Sequence, residues 1–419
     1  MRIRSNGWRA RWPTLLAGSA GLSVALATCA KPEPLRPVTG EPDVRVGIAI
    51  GANQLRVGAR GAVAALQDGR AVFRLMADPI FLAPAGRGMT VAGAAGSGQY
   101  ETLSFAPLES SALVVVDGKP YRGVVEVFAR GGGLTAVNQV ALEAYVAGVV
   151  SAEMGRRTDA EHAALEAQAI VTRSYFLANR GKFAAEGYDL RATVTDQAYG
   201  GVDAETSEGW RAVRGTTGLM LTFDGEPVTP FYHSTCGGST ASPPESFRTV
   251  RARPYLRPVS DRRPGGGDYC NISPRYRWTV EWDGSQLRDI LRRTAPAVLG
   301  IEASMVDQIR DIRVQRTGPS GRAVEVRVRV GHGEMPISGP DMRAALLQPD
   351  GRILGSTVLQ LAANHGADGV VRRVTAHGAG WGHGVGMCQW GAVGRARAGQ
   401  DFETILTTYF PGAIVERWY

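Results

Sequence analysis

Residues 378–399 constrain the fold of this 419-residue chain strongly, because glycine recurs at every second position from Gly378 to Gly386. Each glycine costs backbone entropy, but glycine also adopts positive φ and lets another backbone or a ligand approach closely. His383 and Gln389 lie among these glycines. We therefore expect a tightly wound loop that holds these two polar side chains against another part of the chain or against a ligand.

The first residues have the composition of an export signal. Arginines precede a short apolar run, and small residues lie ahead of Cys29. The run is too short to span a bilayer comfortably. The pattern predicts an export signal over residues 1–28 and a proline-rich tether over residues 29–43. The tetrad "LATC" also resembles a bacterial lipoprotein processing site. Lipidation of Cys29, which would attach the protein to a membrane, and plain cleavage both stay open. In either case the predicted location is the periplasm or cell envelope.

The formal net charge of +8 first suggests a polyanionic partner. Four of those positive charges lie within the first eleven residues, inside the predicted export signal. The remaining sequence has no basic cluster interleaved with aromatic residues, which nucleic-acid binding would favour. Nucleic acid is therefore not an expected partner.

Periodicity predicts an α+β fold. Short β-rich runs with glycine-containing turns indicate a β-rich N-terminal region over residues 44–137. Residues 138–276 form the predicted catalytic core, which contains a helical pair and a loop-rich stretch. Residues 277–363 alternate strand-like and helical patterns and are predicted to be an inserted α+β module. Residues 364–419 form a glycine-rich C-terminal motif that completes the core and closes on a short helix.

The helical pair carries the first candidate for chemistry. A capping box of Thr158 and Glu161 predicts the start of the second helix, which stops at Gly181. On the first helix, Glu153 lies in line with an apolar stripe. A carboxyl group that faces a core is costly when ionised, which suits a general acid that protonates a glycosidic oxygen. The alternative is a glutamate at a helix end that reaches solvent or pairs with a nearby arginine.

Five blocks, in this order, resemble the stage II sporulation protein D / LytB family: "LEAYVAGVVSAEM", "ALEAQAIVTRSYFL", "TDQAYGG", "FYHSTCGGST" and "GWGHGVGMCQWGAVGRARAGQDFETILTTYFPG". The resemblance covers roughly residues 121–412 and is weak across residues 277–363. Members of the family include lytic transglycosylases, which cut the glycan strands of peptidoglycan and leave a 1,6-anhydro-muramyl end. The resemblance implies that Glu153, in the "SAEM" block, is the catalytic residue.

A lytic transglycosylase can work with one acid, because the 6-hydroxyl group of the sugar attacks the anomeric carbon and no cofactor is required. An ordinary glycosidase needs two carboxylates. One alternative is therefore a hydrolase in which Asp196 or Asp261 is the second carboxylate. The main alternative is a non-catalytic glycan-binding protein that enhances a partner cell-wall amidase, as the LytB name implies.

The matched blocks also imply substrate-binding residues. Arg173 is expected to orient Glu153 or to grip a substituent of the sugar, and Tyr199 to stack on a sugar face or to hydrogen-bond the cleaved oxygen. His383 either contacts the substrate or braces the glycine loop from within. The full predicted set is Gln168, Arg173, Gln197, Tyr199, His383 and Gln389.

Cysteines suggest a further site. His233 and Cys236 are close enough in sequence to share a metal ion, and Cys270 offers another thiolate. The family resemblance supports a structural zinc ion held by these three residues. A Cys236–Cys270 disulfide, natural in an exported protein, is the competing interpretation, and free thiols are a third. Cys388 is expected to have no family-wide role, because its position is often serine in the family.

Overall fold

The computed structural model describes residues 40–76, 78–331 and 333–419. The predicted export signal, Cys29 and all but the last residues of the tether lie outside these ranges. Within them, no helix combines the length and apolar character needed to cross a membrane.

The N-terminal region is built of short antiparallel strands, as predicted. Their bounds are β1 Asp43–Ala52, β2 Leu55–Arg60, β3 Val63–Gln67, β4 Arg70–Leu75, β5 Ile80–Ala85, β6 Gly88–Ala92, β7 Gly98–Tyr100, β8 Thr102–Pro107, β9 Leu113–Val116, β10 Lys119–Tyr121, β11 Val124–Arg130 and β12 Gly133–Ala141. One sheet has the order β10-β9-β2-β5-β6-β7. The other is β1-β12-β11-β8-β3-β4, and β13 (Leu190–Arg191) joins its edge in parallel with β1. β12 leads directly into the first helix.

The helical pair of the core is confirmed. The first helix, α1, spans Leu142–Met154, and its side chains are buried around most of its circumference. The predicted capping box of Thr158 and Glu161 forms at a single 3₁₀ turn, and α2 follows at His162–Asn179. The remaining core elements are α3 Ser207–Gly215, β14 Leu219–Phe223, β15 Glu226–Pro227, β16 Tyr232–His233 and α4 Pro243–Ser246.

The inserted module has its own hydrophobic core, in which Trp282 and Leu287 are among the buried side chains. Its elements are β17 Arg277–Asp283, α5 Gly284–Leu299, β18 Ile309–Thr317, β19 Ala323–Val330, β20 Gly333–Ser338, α6 Gly339–Ala345, β21 Val358–His365 and β22 Val371–Ala379. β22 pairs with both β17 and β21. The module therefore extends beyond the predicted boundary at residue 363, because its last strand is the middle strand of its sheet.

The C-terminal segment returns to the core that contains the helical pair. It contains β23 Met387–Cys388, α7 Gln389–Arg397, α8 Phe402–Tyr409 and β24 Ile414–Arg417. β23 pairs in parallel with β16, and β24 pairs with β14. The short predicted helix is α8, with Asp401 as its N-cap.

The helix α7 was not predicted, because its glycines lower helix propensity. Packing explains them. A Cβ at Gly391 would lie 2.0 Å from the hydroxyl of Tyr409, and a Cβ at Gly394 would lie 2.1 Å from the carbonyl oxygen of Tyr269. These glycines let α7 approach its neighbours closely, and tertiary packing therefore outweighs helix propensity.

Candidate active site

Glu153 lies one residue before the end of α1 and is partly exposed. Its side chain opens into a cleft of about 510 Å³ that Tyr232, His383 and Gln389 also line. These three residues come from β16, from the glycine-rich loop and from the start of α7. The cleft thus lies where the helical core meets the C-terminal segment.

Hydrogen bonds hold both oxygens of the Glu153 carboxyl group. Oε1 accepts from the backbone N–H of Ala198 at 2.9 Å and from the hydroxyl of Tyr232 at 3.0 Å. Oε2 accepts from Nε2 of Gln389 at 3.4 Å. Donors from three separate segments therefore fix the orientation of one carboxyl group, which remains accessible from the cleft.

Tyr232 is a residue of the candidate site that the sequence patterns did not predict. Burial and then the charge of Glu153 raise the pKa of Tyr232 well above its ordinary value, so its hydroxyl stays protonated as a donor. The parallel pairing of β16 with β23 sets Tyr232 opposite Met387 and His233 opposite Cys388. The sequence did carry a signal for Tyr232, because this residue lies in the matched "FYHSTCGG" block.

Gln197 and Gln168 are completely buried behind the residues that touch Glu153. Gln197 accepts from the hydroxyl of Tyr145 at 3.1 Å and donates to the hydroxyl of Tyr232 at 3.4 Å. Oε1 of Gln168 accepts from Nε2 of Gln389 at 3.4 Å. These two predicted substrate-binding residues support the site from behind and do not line the cleft.

Arg173 is placed differently from the expectation. Its guanidinium group is completely buried and pairs with Glu143, with Nε 2.9 Å from Oε1 and Nη2 2.5 Å from Oε2. It also donates to Thr216 and to the carbonyl oxygen of Val213. A buried cation requires such partners. Arg173 neither contacts Glu153 nor lines the cleft.

Tyr199 also lies away from the cleft. Its hydroxyl donates to Oδ1 of Asn138 at 2.8 Å, and its ring packs beside the ring of Tyr145, with centroids 5.1 Å apart. Burial raises its pKa well above the ordinary value for tyrosine. The expected contact of Tyr199 with a sugar is therefore replaced by a packing role between β12 and α1.

His383 lines the cleft, but its ring nitrogens serve the backbone. Nε2 donates to the carbonyl oxygen of Tyr232 at 2.9 Å, and Nδ1 accepts from the N–H of Val385 at 3.1 Å. Burial, followed by the charge of Arg343, lowers its pKa to about 3. The ring is therefore neutral near pH 7 and braces the glycine loop against β16, which is one of the two predicted roles.

The two aspartates considered as a second carboxylate are both engaged. Asp196 lines the cleft, but it accepts from the hydroxyl of Tyr175 at 3.0 Å, from Nζ of Lys182 at 2.6 Å and from the N–H of Arg191 at 3.0 Å. Asp261 is completely buried, does not line the cleft, and accepts from the hydroxyl of Tyr409 at 2.6 Å.

Asp261 belongs instead to a buried cluster with Cys236, Cys270 and Cys388. One ligand atom from each of these four residues lies within 4.8 Å of the other three. No disulfide joins the three cysteines, and Sγ of Cys236 is 3.5 Å from Sγ of Cys270. The contact with Cys236 Sγ, followed by that with Cys388, lowers the pKa of Cys270 to about 3. This donor set suits a tetrahedral soft metal ion.

His233 does not belong to that cluster, which corrects the predicted ligand set. Its Nδ1 donates to the carbonyl oxygen of Val385 at 3.2 Å, and its buried Nε2 has no hydrogen-bond partner among the residues that the structure describes. Cys388, expected to have no role, takes its place beside Cys236 and Cys270. The backbone N–H groups of Cys236 and Gly391 donate to Sγ of Cys388 at 3.1 and 3.2 Å.

The fold and the site define an α+β protein in which the partly exposed carboxyl group of Glu153 lines a cleft, and a glycine-rich segment forms one wall of that cleft. Residues 130–223 match the family model described as stage II sporulation protein. Residues 266–386 match a second model, described as a domain of unknown function (DUF8618), which covers the inserted module.

Whole-chain comparison finds relatives over much of the sequence. The chain is 27% identical to stage II sporulation protein D of Bacillus amyloliquefaciens over 67% of this chain and 75% of the relative. It is 26% identical to the amidase enhancer of Bacillus subtilis, over 64% of this chain and 40% of the relative. An uncharacterized protein of Brachyspira hyodysenteriae is 29% identical over 72% and 73% of the two chains. The family model and these relatives support the stage II sporulation protein D / LytB family, which the sequence motifs predicted.

Proposed function

We propose that this protein cleaves the glycan strands of peptidoglycan as a lytic transglycosylase, with Glu153 as the acid and base. The family relationship supports a cell-wall function and a location in the cell envelope. The observation that carries the enzymatic proposal is the carboxyl group of Glu153, which is held by three hydrogen bonds yet opens into the cleft.

The proposed reaction uses one carboxyl group twice. Protonated Glu153 donates its proton to the glycosidic oxygen as the bond from that oxygen to the anomeric carbon breaks. The resulting carboxylate then accepts the proton of the muramyl 6-hydroxyl group as this oxygen bonds to the anomeric carbon. The products are a 1,6-anhydro-muramyl end and a new hydroxyl group on the released strand. The enzyme returns to its starting protonation state without consuming water.

The residues around Glu153 support a mechanism that uses a single carboxyl group. Tyr232 and the N–H of Ala198 fix the position of the Glu153 carboxyl group by donating to Oε1. A hydrolase would need a second carboxylate to activate water. The strongest candidate in the cleft, Asp196, is held by Lys182 and two further donors. A single-acid mechanism therefore fits the site better than hydrolysis does.

A second candidate function is a non-catalytic enhancer of a cell-wall amidase. It is favoured by the relative from Bacillus subtilis that bears the name amidase enhancer. In that case the cleft would bind the glycan strand and the amidase would be the partner that acts.

One experiment separates these functions. Purified mature protein is incubated with peptide-free glycan strands in water enriched in heavy oxygen, and the products are analysed by mass spectrometry. A transglycosylase yields anhydro ends without the label, and a hydrolase yields labelled reducing ends. No cleavage, together with stimulation of an added amidase, would support the enhancer.

We also propose a structural zinc ion held by Cys236, Asp261, Cys270 and Cys388. Four protein ligands leave no open position for catalysis. None of the four lines the cleft. Zinc would cross-link the loop-rich core to the C-terminal segment. Cys388 lies at the end of β23, immediately before α7, whereas the other three ligands precede the module.

A further inference from the structure

The inserted module contributes a cation to the cleft of the catalytic core. Arg343 lies on α6 and lines the same cleft as Glu153. Its Nε donates to the carbonyl oxygen of Leu354 at 2.8 Å. Across residues 40–76, 78–331 and 333–419, no carboxylate forms an ion pair with it. By contrast, Arg248 beside the same helix is paired with Asp341.

The surroundings of Arg343 leave its charge uncompensated. Phe247 and His383 line both this cleft and an adjoining one that Arg343 also borders, and the His383 ring is neutral. Burial, followed by the charge of Arg322, lowers the pKa of Arg343 to about 10, so it remains a cation near pH 7. A half-buried guanidinium group with no ion-pair partner among the described residues is stabilised when an anion binds, and its planar donors match a carboxylate in particular.

We propose that Arg343 binds a carboxylate of the glycan substrate. The inserted module would thereby recognise the negative charge of the sugar beside the cleaved bond. This inference rests on the proposed function, in which the cleft receives a peptidoglycan strand. N-acetylglucosamine is uncharged, whereas N-acetylmuramic acid carries a lactyl group. Its carboxylate is free in peptide-free strands, and in substituted strands the stem peptide supplies carboxylates of its own.

The test is a set of binding measurements by calorimetry on the full mature chain with the background substitution Glu153→Gln, which prevents turnover. Three probes are compared: peptide-free strands, strands that carry stem peptides, and chitin oligosaccharides of the same length, which have no carboxylate. Arg343→Gln should weaken binding of a carboxylate-bearing strand at least ~10-fold, since charge-assisted hydrogen bonds are lost. Binding of chitin oligosaccharides should be unchanged.

The probes distinguish the source of the carboxylate. Loss confined to peptide-free strands assigns the lactyl carboxylate, and loss confined to substituted strands assigns the stem peptide. Arg343→Lys should retain part of the preference, because it keeps the charge but not the fork of donors. Arg352→Gln, which changes an exposed arginine of the same module, is the matched control and should have no effect.

Equal effects of Arg343→Gln on all three probes, or no effect on any, would overturn the inference. If that happens while Glu153 proves essential for cleavage by the otherwise native protein, the proposed function stands. If the native protein cleaves no strand but the carboxylate preference depends on Arg343, the inference stands and the proposed cleavage fails. A chain that binds none of the probes contradicts both.

Discussion

At the scale of single residues, the carboxyl group of Glu153 is held by donors that are themselves fixed. Tyr232 donates to Oε1 and accepts from Gln197, and Gln389 donates to Oε2 and to Gln168. Such support from behind keeps a reacting group in position without blocking its open side. The buried glutamines were predicted to bind substrate, and their contacts instead explain why they occur in the matched blocks.

Arg173 allows a direct test of whether a residue of the matched blocks stabilises the fold or binds the substrate. Arg173→Gln leaves the charge of Glu143 buried without its guanidinium partner, and we expect a loss of about 3 kcal/mol in the free energy of unfolding. Cleavage by the fraction that remains folded should be nearly unchanged, because Arg173 lies outside the cleft. Arg211→Gln, which removes an exposed ion pair with Asp159, is the control and should barely affect stability.

The outcome is measured by chemical denaturation and by cleavage rates normalised to folded protein. A stable Arg173→Gln variant that has lost cleavage would restore the predicted role of Arg173 in the site.

The lowered pKa of His383 predicts that the stability of the protein depends on pH. Its pKa is about 3 in the folded protein and 6.5 as an ordinary histidine, so between these values the unfolded state binds the additional proton. Its contribution is therefore complete above pH 6.5 and is lost as pH falls towards 3, by about 1.4 kcal/mol per pH unit. His233, Arg322 and Arg343 face the ring and remain in a His383→Gln variant.

The measurement is the free energy of unfolding of native and His383→Gln proteins from neutral to acidic pH. The variant should be less stable near pH 7, and its stability should fall less steeply on acidification. Parallel curves for the two proteins would show that the ring is not buried in its neutral form.

At the scale of elements, the glycine loop connects β22 to β23 and forms one wall of the cleft. Gly384 and Gly386 have φ of +87° and +72°, in the region that favours glycine. Their neighbours leave no room either: a Cβ at Gly384 would lie 2.4 Å from the guanidinium of Arg322, and one at Gly386 would lie 2.1 Å from the carbonyl oxygen of Phe231. Both the backbone conformation and the close packing therefore require glycine.

Alanine substitutions separate these two requirements. Gly399→Ala places a Cβ in open space at φ +81°, so only the left-handed conformation is penalised, by about 1–2 kcal/mol. Gly386→Ala adds a clash with backbone and should cost markedly more, with a parallel loss of cleavage because the cleft wall shifts. Thermal unfolding and cleavage rates check this. Equal losses of stability for the two variants would contradict the close packing of the loop.

Sequence patterns predicted the elements whose signals are local. The helix α1, the capping box before α2 and the short helix α8 all depend on patterns of neighbouring residues, and each is confirmed. The helix α7 and the role of Tyr232 were missed, because both depend on contacts between segments that are distant in the sequence: Tyr232 donates to Glu153, 79 residues away, and Gly394 of α7 packs against Tyr269. The buried pair of Arg173 and Glu143, 30 residues apart, was missed because it joins two different helices.

At the scale of the whole molecule, distant segments meet at the cysteine cluster. Cys236, Asp261 and Cys270 lie before the inserted module, and Cys388 lies after it. The cluster therefore brings together the two chain segments between which the module is inserted. Sequence spacing had favoured His233 because it is near Cys236. The fold favours Cys388 because β23 pairs alongside β16.

We expect about one zinc ion per chain, by elemental analysis of protein purified without a metal-affinity tag. Cys388→Ser and Asp261→Asn should reduce the zinc content and lower the melting temperature, while His233→Gln, the control, should retain the metal. Less than about a tenth of an equivalent of zinc, together with a Cys236–Cys270 cross-linked peptide, would replace the metal by a disulfide.

The central claim is that Glu153 is the acid and base that breaks the glycan strand, and the direct measurement is cleavage by Glu153→Gln beside the native protein. The amide preserves the shape of the side chain but cannot donate and recover the proton. We predict unchanged thermal stability and retained binding of glycan strands, with formation of anhydro ends reduced at least ~10²-fold. A folded Glu153→Gln protein that releases anhydro ends at a rate close to the native one would contradict the claim.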